Sequence, residues 1–343
     1  MDEGLKKFVY SVMGPLRETV NLVVVSTEGT GPVGSGVDMV CANRFMLEPK
    51  LRQVFREFRP DGVIYVPRAA ATRNAFVRAR VLRGYWPRAR QMMISLQPRS
   101  YGSLSRAIIR WMHPDVFAAQ GHAVRDGVAS LGVNAIAIPS GVDIDSFAPV
   151  APDEGIRLRR KYGIEASAPV VLHIGHLKRE RNVLLLTRIR EELGCSAVMV
   201  ASTSTVAEPD VAETLRAAGV LTLDSYIENV AELYQLADCY LFPVRTSGGA
   251  IEMPLSVLEA MASGTPVVSS PFGSLPDWLP AGPGLAYARD DDGLVHEVQA
   301  VLSGDRGPNP NAIRDRMQAF SWPSIAERIC EGLGLTATSS ALD

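Results

Sequence analysis

The stretch Ala237–Trp278, ADCYLFPVRTSGGAIEMPLSVLEAMASGTPVVSSPFGSLPDW, decides the fold. Its two short apolar runs, Cys239–Pro243 and Thr265–Ser269, have the length of buried parallel strands. A helix lies between them, and its ends are written in the sequence. Pro254 suits a first helical position, where its missing N–H would have been unpaired anyway. Gly264 suits the stop, and Pro266 forbids continuation. The helix is expected over Pro254–Ser263. Leu255, Leu258 and Ala262 share one face of it, and Ser256, Glu259 and Ser263 share another. A strand, a glycine-rich loop and a helix in this order offer free backbone N–H groups near Leu255 and Ser256, where a phosphate would be stabilised. Glu259, a turn further in, has the reach to bind ribose hydroxyls. The unit has the design of a nucleoside diphosphate site.

The rest of the chain supports a two-domain α/β protein. Its 343 residues suffice for two domains of ordinary size. A hydrophobic content of 47% with 21% charged residues is that of a globular protein. No stretch approaches the roughly 20 continuous apolar residues of a membrane span, and MDEGLKK does not read as a signal peptide. Cys41, Cys195, Cys239 and Cys330 are far apart, as reduced thiols of a cytoplasmic protein would be. Neither they nor the five histidines have metal-ligand spacing, so no metal is expected.

Helical and strand-like segments alternate, which predicts parallel sheets with helices on both faces. Strands are expected at Asn21–Ser26, Gly62–Pro67, Gln91–Leu96, Asp115–Ala119 and Ala135–Pro139, then at Pro169–Gly175, Ala197–Ser202, Val220–Leu223, Cys239–Pro243 and Pro266–Ser270. The polar, proline-rich APVAPDE at Ala148–Glu154 marks a domain boundary. The polar tail Thr336–Asp343 is expected to be disordered. The net charge of −2 conceals an asymmetry: residues 1–148 carry 19 Lys and Arg against 12 Asp and Glu. Between Gly62 and His113 there are ten arginines, from Arg68 to Arg110, and no acid. Phe76, Val77, Val81, Leu82, Tyr85 and Trp86 are interleaved with them. Such a surface suits an anionic membrane or an acidic acceptor, or is simply a set of solvated helix faces. No nucleic-acid motif accompanies it.

The segment LEAMASGTPVV, Leu258–Val268, resembles the donor-binding motif of the family 4 (group 1) glycosyltransferases of the GT-B fold. That pattern has a first Glu eight residues before the second; here Ile251 stands at that place and Glu252 follows it. IPSGVDIDSFAP, Ile138–Pro149, is similar to the family's interdomain signature, with Ser140 in place of Asn. Phe320-Ser321-Trp322 resembles the approach to its final helix. The resemblance covers roughly residues 60–333. It implies two Rossmann-like doubly wound domains facing a central cleft, with a C-terminal helix crossing back to the first domain. The expected division is an acceptor-side domain over 1–148, a donor-binding domain over 149–318, the crossover helix over 319–335 and the tail over 336–343.

The resemblance also implies the site and its chemistry. Glu259 would hold the ribose of the donor, with Leu255 and Ser256 beside it. Glu252 is the candidate for the catalytic contact to the transferred sugar. His176 and Arg181 stand where the family has an Arg and a Lys that neutralise the diphosphate. Arg181 carries a permanent charge and His176 a pH-dependent one. Where the family has a histidine after the fourth strand, this chain reads Leu96-Gln97-Pro98, so Gln97 is the candidate there. Gly273 and Ser274 are further candidates for the acceptor or sugar side. The implied reaction moves a hexose-type sugar from a nucleotide-sugar to a glycan or lipid-linked acceptor, as in polysaccharide or glycolipid assembly, with retention of configuration and no metal. The implied partners are donor, acceptor and an anionic membrane touched peripherally by the 68–110 region.

Three features pull the other way. Ile251 replaces an acid, Leu96 stands at a histidine site, and the chain opens in a helix, Leu5–Glu18, where the family has a central strand and glycine loop. Either the reading frame starts earlier, or Phe8–Val12 serves as a strand. These departures keep open a non-catalytic relative that binds nucleotide or acts as a scaffold. Gly29, Gly31 and Gly34 spell a dinucleotide fingerprint after Asn21–Ser26, but the strand read next, Gly62–Pro67, ends in Arg68 rather than an acid. These glycines are read as a mobile cleft loop.

Overall fold

The structure, a computed structural model, describes residues 3–27, 37–39, 45–68, 70–202, 205–246, 251–305 and 309–335. The chain divides into two compact units. One comprises Met1–Ser140, Gly249–Glu252 and Trp322–Asp343; the other comprises Gly141–Gly248 and Met253–Ser321. The division falls ahead of the proline-rich segment because the chain from Gly141 is already bound into the second unit. The Val142 N–H donates to the Phe320 carbonyl at 2.8 Å, and the Gln235 amide donates to the Ala148 carbonyl at 2.9 Å.

The first unit contains β1 (Val24–Ser26), β2 (Val37–Met39), β3 (Gly62–Tyr65), β4 (Arg90–Ser95), β5 (Val116–Ala119) and β6 (Ala135–Ala137). Strands β1 and β2 pair in parallel by themselves, and the other four form a parallel sheet in chain order. Its core is apolar: Phe76 and Phe117 stack at 5.9 Å, with Ala79, Met93 and Ile109 fully buried around them. The opening helix, Glu3–Thr19, packs against the last helix, Trp322–Leu333, with Phe8 edge-on to Trp322 at 5.5 Å. Phe8–Val12 is therefore helix and not an improvised strand. Leu5, Phe8, Val12 and Leu16 recur at three- and four-residue spacing and are all buried. The last helix lies so close to the sheet that a Cβ on Gly332 would come within 2.7 Å of Ile136 and Met92.

The second unit contains β7 (Val170–Gly175), β8 (Ser196–Ala201), β9 (Leu221–Leu223), β10 (Cys239–Phe242), β11 (Val267–Ser269) and β12 (Leu285–Tyr287). All six are parallel, in the order β12-β11-β10-β7-β8-β9. The chain enters at the middle, winds outward through β8 and β9, and then returns to the other side of β7 as β10. The winding thus reverses between β7 and β10, and in open α/β sheets ligands bind outside the carboxyl ends of the strands at such a point.

The ten strands read from sequence all form, mostly trimmed at one or both ends. Strands β2 and β12 were not anticipated; each has three residues, too few to show a period. The helix expected over Pro254–Ser263 runs over Leu255–Ala262. Pro254 is its N-cap and not its first residue, because ψ of 123° leaves it extended. Gly264 has φ of 75°, the left-handed stop that its position demanded. Gly29, Gly31, Gly34, Cys41 and the tail 336–343 lie outside the described residues.

Candidate nucleotide-binding site

At the reversal point the second unit brings together two loops and a helix end. The first loop leaves β7 at Gly175. It turns tightly, with the Lys178 N–H donating to the His176 carbonyl at 2.9 Å, and then forms a 3-10 turn over Arg179–Arg181. Polar contacts with the rest of the unit hold it. The Arg179 guanidinium pairs with Asp210 at 2.8 Å, the Arg179 N–H donates to Glu208 at 3.1 Å, and the Asn182 amide donates to Asp291 at 2.8 Å. Asn182 takes φ of 55°, which Asn tolerates better than most residues. Arg181 is only 9% exposed. An arginine is rarely so buried unless its charge is matched.

The helix Leu255–Ala262 starts beyond β10. Pro254, its N-cap, makes no side-chain hydrogen bond to it, and no acidic residue lies in its first turn. Seven of its residues are buried, and Ser256 is the one left partly exposed. Glu259 is 5% exposed and accepts a hydrogen bond from the Tyr234 hydroxyl at 2.9 Å. Burial, and then the Glu259 carboxylate beside it, push the Tyr234 phenol well above its usual range, so it remains a donor. Ser256 is hydrogen-bonded to Tyr240, whose hydroxyl also donates to the Ile174 carbonyl at 3.3 Å. Helix and β7 are thus tied together through tyrosines.

In the same strand lies His173, 1% exposed, packed against Tyr240 and Phe242. One ring nitrogen, Nδ1, is 2.8 Å from the Leu241 carbonyl. A carbonyl only accepts, so Nδ1 carries the proton and Nε2 is left as a lone pair. Nε2 is buried without a hydrogen-bond partner, and a Cβ on Gly175 would come within 2.9 Å of it. Burial lowers the His173 pKa to about 4; the Leu241 bond works against that, and the nearby charges of Arg181 and His176 add to it. The imidazole is neutral at pH 7.

Beyond β11, the Ser270 hydroxyl donates to the Val244 carbonyl. Gly273 takes φ of 52° in the turn that follows. Ser274 is 1% exposed, and its hydroxyl has no hydrogen-bond partner. Phe272, packed edge-on against Phe242 at 5.4 Å, fixes this turn to the sheet.

Glu252 and Gln97 belong to the first unit. The Glu252 N–H donates to the carbonyl of Leu96, the residue before Gln97 and the first after β4. Its carboxylate accepts from the Gly121 N–H at 3.1 Å, at the start of the helix His122–Ala129. A Cβ on Gly121 would come within 2.7 Å of that carboxylate, so only glycine allows the approach. Ile251 is 5% exposed and fits against Gly4, where an added Cβ would be 3.0 Å away. An apolar side chain is what that place takes, which accounts for Ile251 where an acid was awaited. Sequence reasoning missed Tyr234, His173 and Gly121. An isolated tyrosine, a histidine within an apolar strand and a glycine after one have no local signature; only the tertiary pairing gives them meaning.

Among the described residues no group of three His, Cys, Asp or Glu side chains is placed to hold a metal ion. None of the helices among the described residues is long and apolar enough to cross a membrane.

Residues 168–304, the span that holds β7 to β12, match the family model of the group 1 glycosyl transferases. The second unit carries a group 1 glycosyl transferase domain. Sequence relatives agree. A GDP-mannose-dependent monoacylated alpha-(1-6)-phosphatidylinositol monomannoside mannosyltransferase of Corynebacterium glutamicum is 26% identical over 209 residues, covering 56% of this chain and 54% of that protein. A D-inositol 3-phosphate glycosyltransferase of Corynebacterium aurimucosum is 28% identical over 227 residues, covering 57% and 50%. The chain matches about half the length of each. Among solved structures, a glycosyltransferase from Rickettsia africae superposes with a TM-score of 0.74 over 97% of this chain and 96% of its own, at 14% identity. Anabaena HepE in complex with UDP-glucose gives 0.71 over 97% and 96%, at 15% identity. These place the chain in the GT-B fold.

Proposed function

We propose that this protein is a glycosyltransferase that takes a sugar from a nucleotide-diphosphate donor and passes it to a glycan or lipid-linked acceptor. One observation carries the reading: Glu259, buried and held by Tyr234, on a helix that starts at the reversal point of the six-stranded sheet. A buried carboxylate there suits the two ribose hydroxyls, which donate to it. The first-turn N–H groups near Leu255 and Ser256 suit the diphosphate, and Arg181 and His176 supply the positive charge. As the glycosidic bond to the diphosphate breaks, negative charge grows on the leaving oxygens, and fixed cations stabilise it there. On this reading the reaction needs no resident metal and retains anomeric configuration. HepE, solved with UDP-glucose, and the GDP-mannose-dependent relative support a nucleotide-sugar donor.

The sugar or acceptor side is assigned to Glu252, Gln97, Gly273 and Ser274. Peripheral contact of the arginine-rich 68–110 region with an anionic membrane completes the reading, and polysaccharide or glycolipid assembly is its setting. A thermal-shift panel of UDP, GDP and ADP with their sugar adducts tests the donor half. A ligand at a hundredfold its dissociation constant adds about 2.7 kcal/mol, a rise of several degrees. The reading expects one base to shift the melt, and the same donor to be slowly hydrolysed with release of its nucleoside diphosphate, in the presence of chelator. A cooperative melt that no nucleotide moves would overturn it and favour a scaffolding relative.

A further inference from the structure

Ten arginines and no acid between Gly62 and His113 make two helices of the first unit basic, Arg73–Tyr85 and Ser103–Met112, and the two pack against each other. They treat their apolar residues differently. In Arg73–Tyr85 the apolar side chains face the core: Ala75, Phe76, Ala79 and Leu82 are buried, and Val81 and Tyr85 pack against the same cluster. Those residues are not available to a partner. In Ser103–Met112 only Ile109 is fully buried, with Met112 packed partly beside it. On the opposite side Leu104 is 63% exposed and Trp111 is 85% exposed, with Ala107 exposed between them. The three lie at i, i+3 and i+7, one stripe along the helix. Arg110 is exposed beside the stripe, three residues on from Ala107, Arg106 is exposed further round the helix, and Arg99 is exposed just before it.

A tryptophan left open on a soluble surface is uncommon unless something covers it. The charge around it says what does. Two other large apolar side chains are as exposed, Val206 and Tyr226, but they have acids close in the chain: Glu208 and Asp210, and Asp224 and Glu228. Of the three, the Leu104–Trp111 stripe has arginines on its own helix, and the nearest acid in the chain, Asp115, is paired with Arg83.

We propose that the exposed face of helix Ser103–Met112 docks on the surface of an anionic lipid bilayer. Leu104 and Trp111 enter the headgroup boundary, and Arg99, Arg106 and Arg110 pair with lipid phosphates. An indole sits well at that depth, and arginines reach the phosphates while their stems remain over apolar surface. The inference rests on the glycosyltransferase reading for its purpose, which is to hold the first unit where a lipid-linked acceptor is found.

Co-sedimentation of the full chain with vesicles tests it. Binding is expected to phosphatidylcholine vesicles that contain phosphatidylglycerol, and to fall as salt is raised, with little binding to phosphatidylcholine alone. The double variant Leu104→Gln, Trp111→Gln should lower partitioning about tenfold or more, and Arg106→Gln with Arg110→Gln about tenfold. Both should keep the wild-type melting temperature and any nucleotide-induced shift, since neither pair touches the core of either unit. Equal partitioning of wild type and Leu104→Gln, Trp111→Gln would overturn the proposal. So would absence of vesicle binding together with a dimer in sedimentation velocity that the Trp111 variant abolishes, which would assign the stripe to a second copy. Vesicle binding with no nucleotide shift would count against the donor site and leave this surface standing.

Discussion

The two sheets differ in one topological respect, and function follows that difference. In the four-stranded sheet, β3 to β6 stand side by side in chain order, so every connection steps the same way. In the six-stranded sheet the order reverses between β7 and β10. Loops that leave adjacent strands toward opposite sides of a sheet part from one another and leave room for a ligand. Arg181 and the start of the Glu259 helix follow those two strands. The four-stranded sheet has no such parting within it, and what its unit offers is a surface, the basic stripe on Ser103–Met112.

The interior of the two units should also respond differently to acid. His173 lies in the six-stranded unit with its pKa lowered from 6.5 to about 4. The unfolded chain therefore binds a proton that the folded one refuses. The stability from this group is complete above pH 6.5 and is lost as pH falls from there toward 4, by up to about 3 kcal/mol. Melting temperature followed from pH 7 to pH 4.5 should fall less steeply in His173→Phe than in wild type. Parallel slopes would remove His173 from the account.

Next in size is the ribose contact. Glu259→Ala removes an acceptor that the reading assigns to two hydroxyls, at a cost of about 2 kcal/mol, more than tenfold in affinity for a nucleoside diphosphate by calorimetry. The corresponding change in the first unit, Glu252→Gln, should leave that affinity alone and lower turnover. If the two variants lose nucleotide affinity equally, the assignment of the ribose contact to Glu259 and the sugar contact to Glu252 fails.

Smaller effects refine the site. Tyr234→Phe leaves one oxygen of a buried carboxylate without its donor and should cost about 1 kcal/mol in denaturant unfolding. Arg181→Ala should weaken diphosphate binding several-fold while sparing the bare nucleoside, whereas equal losses would mean that the loop has come apart.

The second unit was the more legible from sequence because its signals are local. Pro254 and Gly264 bracket a helix by backbone geometry alone, and the runs around them are long enough to be strands. Strands β2 and β12 were too short to show, and Pro254 at the N-cap differs from Pro254 at the first turn only in its ψ. In the site, Glu259 and Arg181 were legible as residue types. Their settings were not. Tyr234 meets Glu259 only once the strands are stacked, and Glu252 meets Gly121 across a long stretch of chain, where sequence spacing says nothing. In the arginine-rich region, composition named the charge but not the face. Phe76 and Leu82 read as part of that surface, but their helix turns them inward, and Trp111 on the next helix is the exposed one.

Hydrogen exchange of the full chain with and without the nucleoside diphosphate selected by thermal shift tests the central claim most directly. The account predicts slowed exchange confined to the loop 176–182 and the helix start at 255–259, with β3 to β6 unchanged. Slowed exchange that leaves both of those segments untouched, while the nucleotide still binds, would contradict it.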